Sequence, residues 1–373
     1  MGESNCSRMD VDNDTCHFKH HINPPANPVI SAFMFAIGIF GNVAALVILE
    51  IRRRRNVRSG GTWQRSLFHI LITSLVVTDL TGTCFLSPLV QLSYSRNLTL
   101  VGMRPKTCSL CSYFGATMTF FSLATTLLLF TTALERCFAI GYPYLYSQHV
   151  TKKCAYITVL LVFLLCIIFC LLPFAGFGKY VQYCPGTWCF IDMNAVKPRN
   201  KAYAILYATI MLVLVVATVS CNAFVVYQLY RMYQRRRRNG SVMSKMRSNS
   251  ERKLLSMSEE VEHLILMVVM TIIFIICTLP LVIRVYINYN GENDHPSDLI
   301  ALRFISINSI IDPWVFILLS PGVQHFCWTS VCQSTLIAQR GSVFKSSLAK
   351  ENTKLELSRP TLYTEQIDSV KNM

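Results

Sequence analysis

Seven stretches of this chain are too apolar to face water, and they restrict what it can fold into. Each is at least about 20 residues long, the length a helix needs to cross the hydrocarbon core of a bilayer. They run near Val29–Ile51, Leu67–Ser93, Ser109–Ile140, Cys154–Phe177, Tyr203–Tyr230, His263–Tyr289 and Ser297–Leu319. Composition agrees, with 52% hydrophobic and 15% charged residues, where soluble domains carry about 25% charged. The expected fold is an all-α membrane protein, a seven-transmembrane helix bundle.

A net charge of +15 would suit nucleic acid, but the charge is not spread evenly. Segments 52–65, 152–153 and 231–253 hold 17 Lys and Arg residues, against 9 in the N-terminal tail and the other connections. Basic connections stay in the cytoplasm, so the N-terminus lies outside and the C-terminus inside. The expected partner is membrane lipid, not nucleic acid. The first 28 residues lack a charged-then-apolar leader, which leaves the first span as the targeting signal. Sequons at Asn5, Asn13 and Asn97 fall outside, where glycans are added, and the one at Asn239 falls inside.

The expected organisation follows. Residues 1–28 form an extracellular glycosylated tail that closes on a Pro/Asn cluster. Residues 29–319 form the bundle, with a second outer loop at 178–201 and a basic, Ser-rich third inner loop at 234–259. An amphipathic juxtamembrane helix is expected over 320–333, carrying Cys327 and Cys332, which are candidates for palmitoylation. A disordered cytoplasmic tail follows over 334–373.

The last span carries a lone arginine, Arg303. A charge at membrane depth costs at least about 2.5–3.5 kcal/mol and is a functional-site hypothesis by default. Asp79 reads as the only obvious acid deep in the bundle, and its depth sets it nearer mid-membrane than Arg303. Asp298 stands five residues before Arg303, off the three- or four-residue spacing of helical pairs. Arg303 is therefore expected to await an external anion. Asp79 is expected to join an interhelical network with Asn308 and Asp312. Pro88, Pro280 and Pro313 interrupt the second, sixth and seventh spans, and the last two are candidate hinges.

The third span ends in Glu135-Arg136-Cys137, which is either a solvated helix end or a buried functional pair. The second outer loop holds Cys184 and Cys189 in a disulfide-permitting compartment. Pairing Cys111 with Cys189 would tie it to the third span. Cys184 then takes another partner, with Cys16 the first choice and Cys6 and Cys108 as rivals, because connectivity is not written in the sequence. No His/Cys spacing suits a metal, no glycine-rich loop suits a nucleotide, and no Ser/His/Asp arrangement suggests an enzyme. No metal or cofactor is expected.

These features together resemble the class A, rhodopsin-like G-protein-coupled receptors. Asn42, Asp79, Arg136, Pro280 and Pro313 fall where that family has its marker residues. The departures are specific. Glu135-Arg136-Cys137 replaces Asp-Arg-Tyr, and Asp312-Pro313-Trp314-Val315-Phe316 replaces Asn-Pro-x-x-Tyr. Thr278 stands where the sixth span usually has Trp, and the fourth span has no Trp. These departures resemble the prostanoid receptors, as do Gly186-Thr187-Trp188-Cys189 and Leu302-Arg303-Phe304. Several runs, among them Met118–Ala124 and Glu259–Leu266, are most similar to the prostaglandin E branch. The prostaglandin D and prostacyclin receptors are the alternatives.

The resemblance implies a plasma-membrane receptor for a lipid carboxylate, prostaglandin E2 above others. It also implies coupling to the stimulatory heterotrimeric G protein and a rise in cyclic AMP. Arg303, Tyr94 and Thr187 would hold the carboxylate. Ser306 would meet the polar centre or chain. Met118, Phe121, Ser122 and Trp188 would line the apolar and ring region. Glu135, Arg136, Asp79, Asn308, Pro280, Asp312 and Pro313 would form the switch toward the G protein. Arrestin and receptor kinases would meet the tail. A carrier for lipid or organic anions, using Arg303 to hold its cargo, is the alternative from another class.

Overall fold

The structure, a computed structural model, describes residues 16–22, 28–58, 67–104, 108–239, 247–290 and 294–319. Among these, seven helices are long and apolar enough to cross a membrane. They are α1 (Pro28–Arg58), α2 (Leu67–Arg96), α3 (Ser109–Gly141), α5 (Lys152–Leu171), α6 (Pro198–Asn239), α7 (Arg247–Tyr289) and α8 (His295–Leu318). A short helix, α4 (Pro143–His149), joins α3 to α5, with Pro143 in its first turn. Lipid offers no partners for peptide groups, so each apolar run closes its hydrogen bonds within itself as a helix.

The ring of helices closes where α8 packs on both α1 and α7. At its centre α3 meets α2, α5 and α6. Leu71, Leu75, Phe114, Leu128, Met211 and Phe274 are fully buried there. The α1–α8 seam is tight because α1 offers small residues. A Cβ on Gly41 would lie 2.6 Å from Trp314 Nε1. Asn42 donates to the Ser309 carbonyl across the same seam, at 3.1 Å.

Two apolar runs differ from their expected bounds. The fourth ends as an α-helix at Leu171 and turns through a 3-10 segment, Leu172–Ala175. Pro173 has no N–H for the ladder, and its ring crowds the preceding turn. The third inner connection is not simply a loop: α6 runs on through Asn239 and α7 starts at Arg247. Good helix formers, Arg and Glu foremost with Leu, Met, Gln and Lys, make up most of those extensions.

The second outer loop folds as a hairpin of β1 (Tyr180–Tyr183) and β2 (Trp188–Ile191), in register from Tyr180↔Ile191 to Tyr183↔Trp188. All eight residues are buried, with α3 below and the tail above. Strands covered on both faces read as continuous apolar runs, which hides the alternation a hairpin normally shows.

Tail residues Cys16–Ile22 lie over this hairpin. The Cys16–Cys184 and Cys111–Cys189 disulfides fasten it to the tail and to α3, as the first-choice pairing expected. Cys108 is disulfide-bonded as well. Fully buried Gln182 joins the hairpin to the tail and to the connection between α2 and α3. Its amide donates to the Cys16 and Lys19 carbonyls at 3.1 Å each and accepts from Val101 N–H at 3.0 Å. Thr99 N–H donates to the His20 carbonyl at 3.0 Å. The outer end of the bundle is thereby roofed over.

Asn97 is exposed beside this roof. Asn5, Asn13, Cys6, the 320–333 helix and the 334–373 tail lie outside the described residues.

Candidate functional site

Beneath the roof a cavity opens among α1, α2, α3, α7 and α8. Five of the expected ligand residues line it: Met118, Phe121, Ser122, Trp188 and Ser306. Trp188 hangs from β2 and meets Phe114 edge-on, ring centroids 6.1 Å apart. Phe121 packs on Gly82, where any Cβ would come within 2.9 Å of the ring. Thr278, at the family's Trp position, is buried and faces the same cavity.

Arg303 does not line the cavity but shares a helix face with two residues that do. Ser306 is one turn inward, and Ile310 lies about 20° from Arg303 around the helix. The Arg303 side chain is exposed, and among the described residues no ion pair or hydrogen bond engages it. Tyr94 is partly buried at the outer end of α2. Thr187, in the hairpin turn, is completely buried, and among the described residues its hydroxyl has no hydrogen-bond partner.

The reading of Asp79 as the lone deep acid needs correction, because Asp298 and Asp312 are buried too. Asp298 is held by Arg284 Nε at 2.9 Å, by Asn288 at 3.0 and 3.1 Å, and by Asn194 at 3.1 Å. Five residues separate it from Arg303, about 140° around the helix, so it turns toward α7 and the roof. The acid nearest Arg303 in sequence is thus already engaged.

The expected network of Asp79, Asn308 and Asp312 is divided. Thr125 on α3 donates to Asp79 at 3.0 Å, while Asn308 donates to Asp312 at 2.9 Å. No hydrogen bond joins the two halves among the described residues. Asp79 and Asn308 both form part of the cavity floor.

At the inner end, Glu135 and Arg136 are buried, which removes the solvated-helix-end alternative. The guanidinium forks onto the carboxylate at 2.5 and 2.8 Å and lies 4.4 Å from the centroid of Phe68. Tyr146 on α4 adds its hydroxyl to Glu135 at 2.5 Å.

Sequence reasoning missed Tyr146, Gln182, Arg284 and a group of buried tyrosines. Burial pushes the phenol of Tyr180 above its ordinary range, so it stays a neutral donor. Tyr203 and Tyr207 stand four apart on α6, a spacing that puts both on one face and was the available signal.

The family model described as "7 transmembrane receptor (rhodopsin family)" matches residues 41–316. The prostaglandin E2 receptor EP2 subtype of mouse (Mus musculus) is 43% identical over 92% of this chain and 96% of its own length. The human (Homo sapiens) receptor of that name is 43% identical over 87% of this chain and 91% of its own. The mouse prostacyclin receptor is 42% identical over 81% of this chain and 70% of its own. The crystal structure of squid rhodopsin superposes with a TM-score of 0.65 at 15% identity, covering 82% of this chain and 85% of that one, a likeness of fold.

Proposed function

The chain belongs to the rhodopsin family of seven-transmembrane receptors and, within it, to the prostanoid receptors, and from that premise we propose that its agonist is prostaglandin E2 and that it raises cyclic AMP through the stimulatory G protein. It is a multi-pass plasma-membrane receptor, not an enzyme. The family match leaves no room for the anion-carrier alternative.

The observation that carries the ligand class is Arg303. Among the described residues it is a guanidinium without an internal partner, one turn outward from the cavity-lining Ser306 on α8. A planar fork of N–H donors matches a carboxylate bidentately, and the low local dielectric strengthens the pair. Tyr94 and Thr187 complete the carboxylate site, where the unpartnered hydroxyl of Thr187 supplies a third donor. Met118, Phe121 and Trp188 cover the apolar chain and ring. The choice of prostaglandin E2 rests on likeness to receptors of that name along almost their whole length.

Agonist binding the active arrangement better than the resting one shifts a pre-existing equilibrium. Arg303 and Ser306 sit on the same helix as Asn308, Asp312 and Pro313, so ligand contact and switch share α8. Pro280 supplies the second break, and Glu135-Arg136 is the resting lock that the G protein displaces. Receptor kinases and arrestin act on the tail.

Cells expressing the chain should raise cyclic AMP with prostaglandin E2. Arg303→Ala at equal surface level should weaken binding by roughly tenfold or more, the loss of hydrogen bonds between charged partners worth about 1.5–3 kcal/mol. Competition binding among prostaglandins E2, D2 and I2 decides the subtype. Tighter binding of prostaglandin D2 would overturn the choice of E2, and unchanged affinity in Arg303→Ala would overturn the carboxylate assignment.

A further inference from the structure

Tyr207 does not line the cavity. Its ring is buried against Phe169 and Phe190, with centroids 6.2 and 5.5 Å away. Its hydroxyl has one hydrogen-bond partner among the described residues, Ser122 Oγ at 2.9 Å. A buried O–H left without an acceptor costs about 1–3 kcal/mol, and the Ser122 proton has an acceptor of its own in the Thr119 carbonyl. Tyr207 therefore donates, and Ser122 accepts.

Ser122 in turn donates its own proton to the Thr119 carbonyl at 3.0 Å. A serine hydroxyl has one proton and two lone pairs. With the proton and one lone pair in use, one lone pair remains for the cavity. The neighbouring phenols do not change this count. Tyr180 donates to the Cys170 carbonyl at 3.2 Å, and Tyr203 to the Phe169 carbonyl at 3.3 Å.

We propose that Tyr207 is a specificity-determining residue that holds Ser122 as an acceptor facing the cavity, so that the site favours a ligand hydroxyl over a ligand ketone at that point. This rests on a prostanoid occupying the cavity. Prostanoid rings differ in just this respect: prostaglandins E2 and D2 exchange a ring hydroxyl and a ring ketone. A ketone opposite Ser122 would set two acceptors against each other, and a site built to bond one polar group discriminates strongly against its substitute.

The test is competition binding of both prostaglandins to the full-length receptor in membranes. Tyr207→Phe keeps the ring and removes only the hydroxyl. Ser122 can then turn its proton to the cavity and accept either ligand. The ratio of the two affinities should fall by about five- to tenfold, the worth of one neutral hydrogen bond. Ser122→Ala should lower the ratio similarly, and adding Tyr207→Phe to it should change the ratio no further.

A phenylalanine variant that weakens both ligands equally would overturn the inference and leave Tyr207 as packing. A wild-type receptor that binds both prostaglandins equally would overturn it too. Failure of either ligand to bind the wild type would instead sink the prostanoid reading on which it stands.

Discussion

Replacing Asp298 by alanine should be among the most damaging single changes outside the cavity. Its carboxylate is fully buried and pairs with an Arg284 side chain that is 15% exposed. The same two oxygens satisfy the amides of Asn288 and Asn194. Alanine leaves a guanidinium without its counter-ion, at about 3–5 kcal/mol for one partner stripped from a buried pair. At about 2 °C per kcal/mol for a large domain, apparent melting should fall by at least about 6 °C.

Arg284→Met should cost a similar amount, because it orphans the carboxylate instead. The pair replaced together by apolar side chains, as Asp298→Leu with Arg284→Met, should recover most of the loss. Melts of purified receptor in detergent at one heating rate would measure all three. Strict additivity of the two single changes, or an alanine variant melting with the wild type, would refute the pairing. The same assay checks the isolation of Arg303: Arg303→Ala should leave the ligand-free melt unchanged, and a comparable loss there would mean a counter-ion inside the bundle.

Two further changes probe the roof and the α1–α8 seam. Gln182→Leu removes three hydrogen bonds and leaves the buried Val101 amide without its acceptor, at about 1–3 kcal/mol for an orphaned buried group. Trypsin should then cut faster after Lys19, and unchanged cleavage would show that Gln182 is not the joint. Gly41→Val forces a side chain into the Trp314 indole, at about 1–3 kcal/mol for overpacking. Lower surface yield and melting should follow, with partial recovery when Trp314→Ala is added.

The bundle was legible because lipid leaves a peptide chain few options. Long apolar runs must close their own hydrogen bonds, and basic flanks set their direction. Arg303 was legible for a related reason, since a charge in an apolar helix stands out against its neighbours. Its environment was not. Asp298 meets Asn194 across 104 residues, Ser122 meets Tyr207 across 85, and Gln182 meets Cys16 across 166. No local period records such pairs. The hairpin was hidden differently, because burial on both faces removes the alternation by which a strand is recognised. The divided network of Asp79 and Asp312 has the same origin: Thr125 is one threonine among many on α3, and only the packing gives it a carboxylate.

The roof also constrains the order in which the protein can be completed. Cys16 and its partner are 168 residues apart, and Cys111 and its partner 78. At about 5–20 residues per second, Cys16 waits roughly 10–30 s for Cys184 to be synthesised. Cys108 and Cys111 are made during that wait. Oxidation running ahead of translation would join Cys16 to one of them and leave the hairpin without its upper tie. The outermost layer therefore cannot close until the fourth span is made, although it contains some of the first residues made. Its correct form depends on thiols staying reduced, or being reshuffled, until the fourth span has passed into the membrane.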